Sequence, residues 1–81
     1  MKDYTMPKMD HLTEENMISE WKVKEGDAVQ NGDVILVVET GKNVLEVQAN
    51  FTGKIMEILL REMEIVPVGT VIARYEEWIV R

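Results

Sequence analysis

A chain of 81 residues, 46% apolar and 30% charged, is long enough to close one hydrophobic core and too apolar to stay disordered. Nine basic against fifteen acidic residues leave a net charge of −6 with no basic run, which argues against a nucleic-acid partner and suits encounters with basic protein surfaces. The absence of cysteine excludes disulfides, thiolate metal sites and thiol nucleophiles, and no apolar window nears the roughly 18 residues of a membrane span or forms a signal-peptide core, so a single monomeric domain over residues 1–81 in the cytoplasm is expected.

Along the chain, β-branched and apolar runs predict strands over residues 18–23, 34–39, 44–49, 53–60 and 71–75. Turn residues separate them: Glu25-Gly26-Asp27, Asn31-Gly32-Asp33, Asn50, Gly53, Pro67 and Gly69. No stretch has a helical period; residues 57–64 come nearest, but they fall where an internal repeat demands strand and turn. That repeat appears when residues 18–39 are laid over 55–76 at an ungapped offset of 37. Ile18/Ile55, Glu20/Glu57, Glu25/Glu62, Val29/Val66, Gly32/Gly69, Val34/Val71, Ile35/Ile72 and Glu39/Glu76 are then identical. Two similar halves that cannot bury an apolar face alone can bury it against each other, so an all-β sandwich or flattened barrel with pseudo-twofold symmetry is expected.

The segment V-V-E-T-G-K-N-V-L-E-V, residues 37–47, is a predicted hairpin. If Gly41 and Lys42 alone form its loop, partner numbers sum to 83, and Val34, Leu36 and Val38 share one apolar face with Ala49, Val47 and Leu45. A three-residue loop would instead put Glu39 on that buried face, which is costly for a carboxylate. Gly41 in the first loop position suits a type II′ turn and leaves Lys42 projecting into water. On geometry alone such a lysine is ordinary solvation. A phosphate-loop reading of T-G-K fails, because Leu36 and Asn43 stand where that motif requires Gly and Ser or Thr.

Other candidates are weak. His11 is a lone histidine without spaced ligands, so no metal site is expected. Met6 and Met56 are expected as core filling and Trp21 as a core anchor, while Trp78 lies past the repeat and suits either a cap or a partner contact. Ser19 is the only serine, and no carboxylate pair is placed across a cleft, so stand-alone catalysis is not expected.

The segments M-P-K-M (6–9), E-W-K-V-K-E-G-D-A-V-Q-N-G-D (20–33), V-V-E-T-G-K-N (37–43), F-T-G-K-I (51–55) and V-P-V-G-T-V-I-A (66–73) together resemble the lipoyl domains of 2-oxoacid dehydrogenase complexes, within the biotinyl/lipoyl attachment superfamily. The resemblance covers about residues 4–77 and implies two four-stranded sheets about a pseudo-twofold axis. It also implies that Lys42, the lysine at the hairpin tip, receives lipoic acid in amide linkage. The domain would then be a non-catalytic swinging arm carrying acyl groups and electrons. Implied partners are a lipoate ligase or lipoyl transferase and the decarboxylase, acyltransferase and dihydrolipoyl dehydrogenase of such a complex. Glu39, Thr40, Gly41 and Asn43 would shape the tip, and a loop over residues 11–17 beside it would add Glu14 and Glu15 as a recognition surface. The sequence departs from the family at Gly41 and Asn43, where aspartate and alanine are usual. It departs again at Met63-Glu64, which replaces Gly26-Asp27 of the first half and sets a methionine where a positive φ is expected. Biotin carriers flank their lysine with methionines, which Lys42 lacks. An unmodified interaction module and, after it, a biotinyl carrier are the alternatives.

Overall fold

In the structure, a computed structural model describing residues 1–79, the apolar runs form eight strands and no helix among those residues. They are β1 (Lys2–Thr5), β2 (Glu15–Trp21), β3 (Ala28–Val29), β4 (Val34–Glu39), β5 (Val44–Gln48), β6 (Gly53–Ile58), β7 (Ile65–Pro67) and β8 (Val71–Glu77). Val80 and Arg81, the end of the tail, lie outside the described residues. All pairings are antiparallel, in two four-stranded sheets ordered β1-β8-β6-β3 and β5-β4-β2-β7. Adding 37 to β2, β3 and β4 gives β6, β7 and β8, so each sheet order is the image of the other. The repeat is therefore the symmetry of the fold, and the two sheets do not close into a true barrel.

The symmetry extends to irregularities. The ladder of β2 and β4 slips between Ile18 and Glu20, and that of β6 and β8 slips between Ile55 and Glu57, which leaves Ser19 and Met56 as equivalent bulged residues. Met56, expected in the core, is therefore turned outward and exposed. Each half also completes its turns in the other. Gly26 N–H donates to Ile55 C=O at 2.7 Å, and its counterpart Met63 N–H donates to Ile18 C=O at 2.7 Å. The Glu25 carboxylate accepts from Ile58 N–H at 2.8 Å, and Glu62 accepts from Trp21 N–H at 3.0 Å. That last bond, before all else, holds the Glu62 carboxyl below its ordinary range.

Between the sheets lie Ile18, Val29, Leu36, Val38, Ile55, Val66 and Ile72, with Met6 from the chain after β1. At one flank Phe51 and Tyr75 stack at 3.8 Å, with Tyr4 tilted against both. Trp21 is half-buried rather than a full core residue; its indole N–H donates to Leu60 C=O at 2.9 Å. Gly53 has a packing reason: an added Cβ would lie 1.9 Å from the carbonyl oxygen of Glu76, so only glycine lets β6 and β8 meet there.

Met63 has φ 70°, in the left-handed region where a non-glycine residue is strained. Met63→Gly is expected to stabilise the fold by about 0.5 to 1 kcal/mol after the extra unfolded-state entropy of glycine is subtracted, read as a rise of a few degrees in thermal midpoint. Gly53→Ala is expected to cost about 3 kcal/mol or more, since backbone must move to admit the methyl; an unchanged midpoint would contradict this packing.

Candidate functional site

The hairpin of β4 and β5 follows from its side-chain alternation. Leu36, Val38 and Val47 are buried inward, with Leu45 packed beside them. The register is the expected one from Leu36↔Val47 through Val38↔Leu45 to Glu39↔Val44, which leaves Gly41 and Lys42 as the two tip residues. It fails at the far end. A bulge between Val34 and Leu36 pairs Val34 with Gln48 instead of Ala49 and turns Ile35 into the core, although alternation placed it on the outer face.

The turn itself differs from the expected type II′. Gly41 is absent from the positive-φ glycines, which are Gly26, Gly32 and Gly69, so neither primed turn forms. Thr40 closes the tip instead. Its N–H donates to Asn43 C=O at 2.9 Å, and its Oγ1 accepts the Asn43 N–H at 3.2 Å in place of a main-chain carbonyl. A Cβ at Gly41 would meet nothing within 4 Å. The backbone therefore does not require glycine, and the residue leaves the approach to Lys42 open.

Lys42 is exposed and has no ion-pair partner among the described residues, whereas Lys2 pairs with Glu77 and Lys22 with Glu20. Glu39 and Thr40 are half-buried at the hairpin base. The loop beside the tip is shorter than expected, because β2 begins at Glu15. Residues Asp10, Leu12 and Thr13, rather than Glu14 and Glu15, face Thr40, Gly41, Lys42 and Asn43 across an open cleft of about 260 Å³. Glu14 serves through its carbonyl, which accepts Val68 N–H at 2.8 Å, and Glu15 lies on the other side of the hairpin base.

Sequence reasoning missed two residues that set this loop. The Asp10 carboxylate accepts the Thr13 hydroxyl at 2.9 Å and the amides of Leu12 and Thr13 at 2.8 and 2.7 Å; these bonds, the hydroxyl first, hold its carboxyl below the ordinary value. The D-x-x-T spacing is the signal that could have found it. Asn16 is the one buried polar side chain among the described residues, and its Nδ2 donates to Pro7 C=O at 3.0 Å, tying the loop to β2. Its signal is a polar residue in the same inward register as Ile18. The lone His11 is exposed, and no metal-binding cluster occurs among the described residues. Trp78 is partly exposed; its indole N–H donates to Glu76 at 2.9 Å and its amide to Thr52 C=O at 2.8 Å.

A family model described as biotin-requiring enzyme, covering biotin and lipoyl attachment, matches residues 2–75. The dihydrolipoyllysine-residue acetyltransferase component of the pyruvate dehydrogenase complex of Rhizobium meliloti is 42% identical over 66 residues, 82% of this chain and 13% of that protein. The lipoamide acyltransferase component of the branched-chain alpha-keto acid dehydrogenase complex of Bacillus subtilis is 37% identical over 76 residues, 94% of this chain and 18% of that protein. The chain thus spans less than a fifth of the length of either relative. The solution structure of the lipoyl domain of the 2-oxoglutarate dehydrogenase complex from Azotobacter vinelandii matches with a TM-score of 0.76 and 31% identity, covering 93% of this chain and 95% of that one.

Since the Gly41 backbone accepts any residue, Gly41→Asp is expected to leave the thermal midpoint within about 0.5 kcal/mol of the parent. Thr40→Val should raise amide exchange at Asn43 while sparing the core. Because the folded Asp10 value lies below the ordinary 3.8, its bonds should persist above the ordinary value and be lost only as pH falls through the lower folded one, as read from the Leu12 and Thr13 amide shifts.

Proposed function

From the premise that this chain belongs to the biotin/lipoyl attachment family and is a lipoyl domain, we propose that it is a carrier whose attachment point is Lys42. One observation carries the reading: of the six lysines, Lys42 alone stands at a two-residue hairpin tip, exposed and without an ion-pair partner among the described residues, where the backbone beneath is held by paired strands. Lys2 and Lys22 are engaged with carboxylates, Lys54 lies within β6, and Lys8 and Lys24 sit in loops. An amine so placed fits acylation, since nothing covers it and Gly41 leaves its flank bare.

Lipoic acid joined to Lys42 would supply a dithiolane able to accept an acyl group and a pair of electrons. The residues of this chain do the remaining work. The Thr40–Asn43 bonds fix the direction of the lysine, the β4–β5 ladder keeps the tip clear of the core, and the exposed position lets the side chain sweep through solvent. Amide formation removes the lysine charge and takes the formal net from −6 to −7. The relatives support a place in a 2-oxoacid dehydrogenase-type system, with a decarboxylase, an acyltransferase and a dihydrolipoyl dehydrogenase as partners. Asn43 and Gly41, in place of the methionines of biotin carriers, favour lipoate over biotin.

Co-expression with a lipoate ligase and lipoate is expected to add one lipoyl unit to the intact mass, and Lys42→Arg should abolish the gain without changing the thermal midpoint. An unchanged mass for the parent protein would point to an unmodified interaction module, and capture on streptavidin would point to biotin.

A further inference from the structure

The two outer faces of this fold are built to one plan and filled differently. On the sheet β1-β8-β6-β3, one row across the strands reads Glu57, Arg74, Asp3, and the arginine bridges both carboxylates at 3.7 and 3.3 Å. The next row sets Lys54 opposite Glu76, with Ala28 on its other side. On the sheet β5-β4-β2-β7 the equivalent positions, related by 37 residues except on the edge strands β1 and β5, read Glu20, Val37, Glu46 and then Ile65, Met17, Glu39, with Val44 beyond. The carboxylates are kept on both faces. The cations are not: Val37 stands for Arg74 and Met17 for Lys54. Lys22 compensates Glu20 at 3.2 Å, while Glu15, Glu39 and Glu46 have no ion-pair partner among the described residues. Val44 and Ile65, at the two ends of the row, are 63% and 64% exposed. Between them Glu15, Met17, Glu39, Gly41 and Ile65 line an open cleft of about 310 Å³ at the foot of the hairpin tip.

A sheet face that keeps its carboxylates, sets valine where the other face has the pairing Arg74 and methionine where it has the cationic Lys54, and exposes apolar side chains at its margins is incomplete alone. We propose that the outer face of the sheet β5-β4-β2-β7 is the docking surface for the enzyme that acylates Lys42. The matching patch on that enzyme is apolar at its centre, to cover Met17, Val44 and Ile65, and carries arginine or lysine at its rim, to supply the charges that Arg74 and Lys54 supply on the other sheet. The modifying enzyme is the occupant because it meets Lys42 before any arm extends it. A bare lysine must be reached close to the globule, and of the two clefts that meet at Gly41, the one lined by Glu15, Met17, Glu39 and Ile65 opens onto the face with carboxylates that have no ion-pair partner among the described residues, so charge complementarity sets recognition there. The inference rests on Lys42 being the acylated residue.

The test is the initial rate of mass gain on Lys42 with a lipoate–protein ligase, lipoate and ATP, at low and moderate salt. Val44→Arg with Ile65→Arg, both at exposed positions, is expected to lower kcat/KM about tenfold by setting cations against the apolar centre of the partner patch and near its basic rim. The thermal midpoint should be unchanged. Glu15→Gln with Glu46→Gln should slow the reaction about threefold at low salt and flatten its salt dependence. Ala28→Arg, which adds one positive charge to the opposite face, should react at the parent rate. Parent-like rates for the Val44/Ile65 variant would overturn the docking face, as would equal slowing by Ala28→Arg. No mass gain on the parent protein would instead overturn the assignment of Lys42, and the docking face with it.

Discussion

Each half of this molecule closes its central turn on main-chain groups of the other half, and the remaining structure is arranged around that exchange. Ile55 N–H donates to Asp27 C=O at 2.9 Å and Ile18 N–H donates to Glu64 C=O at 3.0 Å, reciprocating the bonds from Gly26 and Met63. The Glu25 and Glu62 side chains repeat the exchange through their carboxylates. If one half unfolds, the other loses these hydrogen bonds, each worth about 0.5 to 1.5 kcal/mol net, together with the apolar partner face they close over. The halves must therefore fold together, and a chain this short obtains from duplication a core that neither half could enclose.

The exchange also fixes which residues can vary. Both turns need a left-handed residue at the same place, which is Gly26 in one half and Met63 in the other, so the strain at Met63 follows from symmetry and has no role at the tip. The bulges at Ser19 and Met56 are shared for the same reason: the slip in each ladder brings Trp21 and Ile58 into register to receive the carboxylates. What the pairing does not constrain is the outer face of each sheet, and there the two halves diverge in charge.

Much of this was legible in the sequence because the repeat is ungapped. The offset of 37 fixed the equivalence of strands, and the alternation of Leu36 and Val38 against Leu45 and Val47 fixed the tip at Gly41 and Lys42. The misses share a cause. A bulge adds one residue without a composition signal, so strict alternation sets Ile35 on the wrong face, and Met56, expected as core filling, stands at a bulge instead. Lys2–Thr5, Ala28–Val29 and Ile65–Pro67 are edge strands of two to four residues, too short or too polar to show a period. The turn type was missed because glycine permits a positive φ without requiring one, and the Thr40 hydroxyl offered the backbone another closure.

The symmetry ends at the tip, and that break leaves one sheet with a closed hairpin at this position. The counterpart of Gly41 and Lys42 under the offset of 37 is Trp78 and Ile79, where β8 leaves its sheet, so one sheet ends in a closed hairpin and the other in separate chain segments. Only the closed end can hold a lysine in a fixed direction. Since neither sterics nor φ requires glycine at position 41, its presence reflects the surface and not the fold. Gly41 leaves one flank of Lys42 bare, Asn43 stands on the other, and Asp10, Leu12 and Thr13 face both across the open cleft, so the side chains around this lysine come from Asn43 and the neighbouring loop and none from position 41.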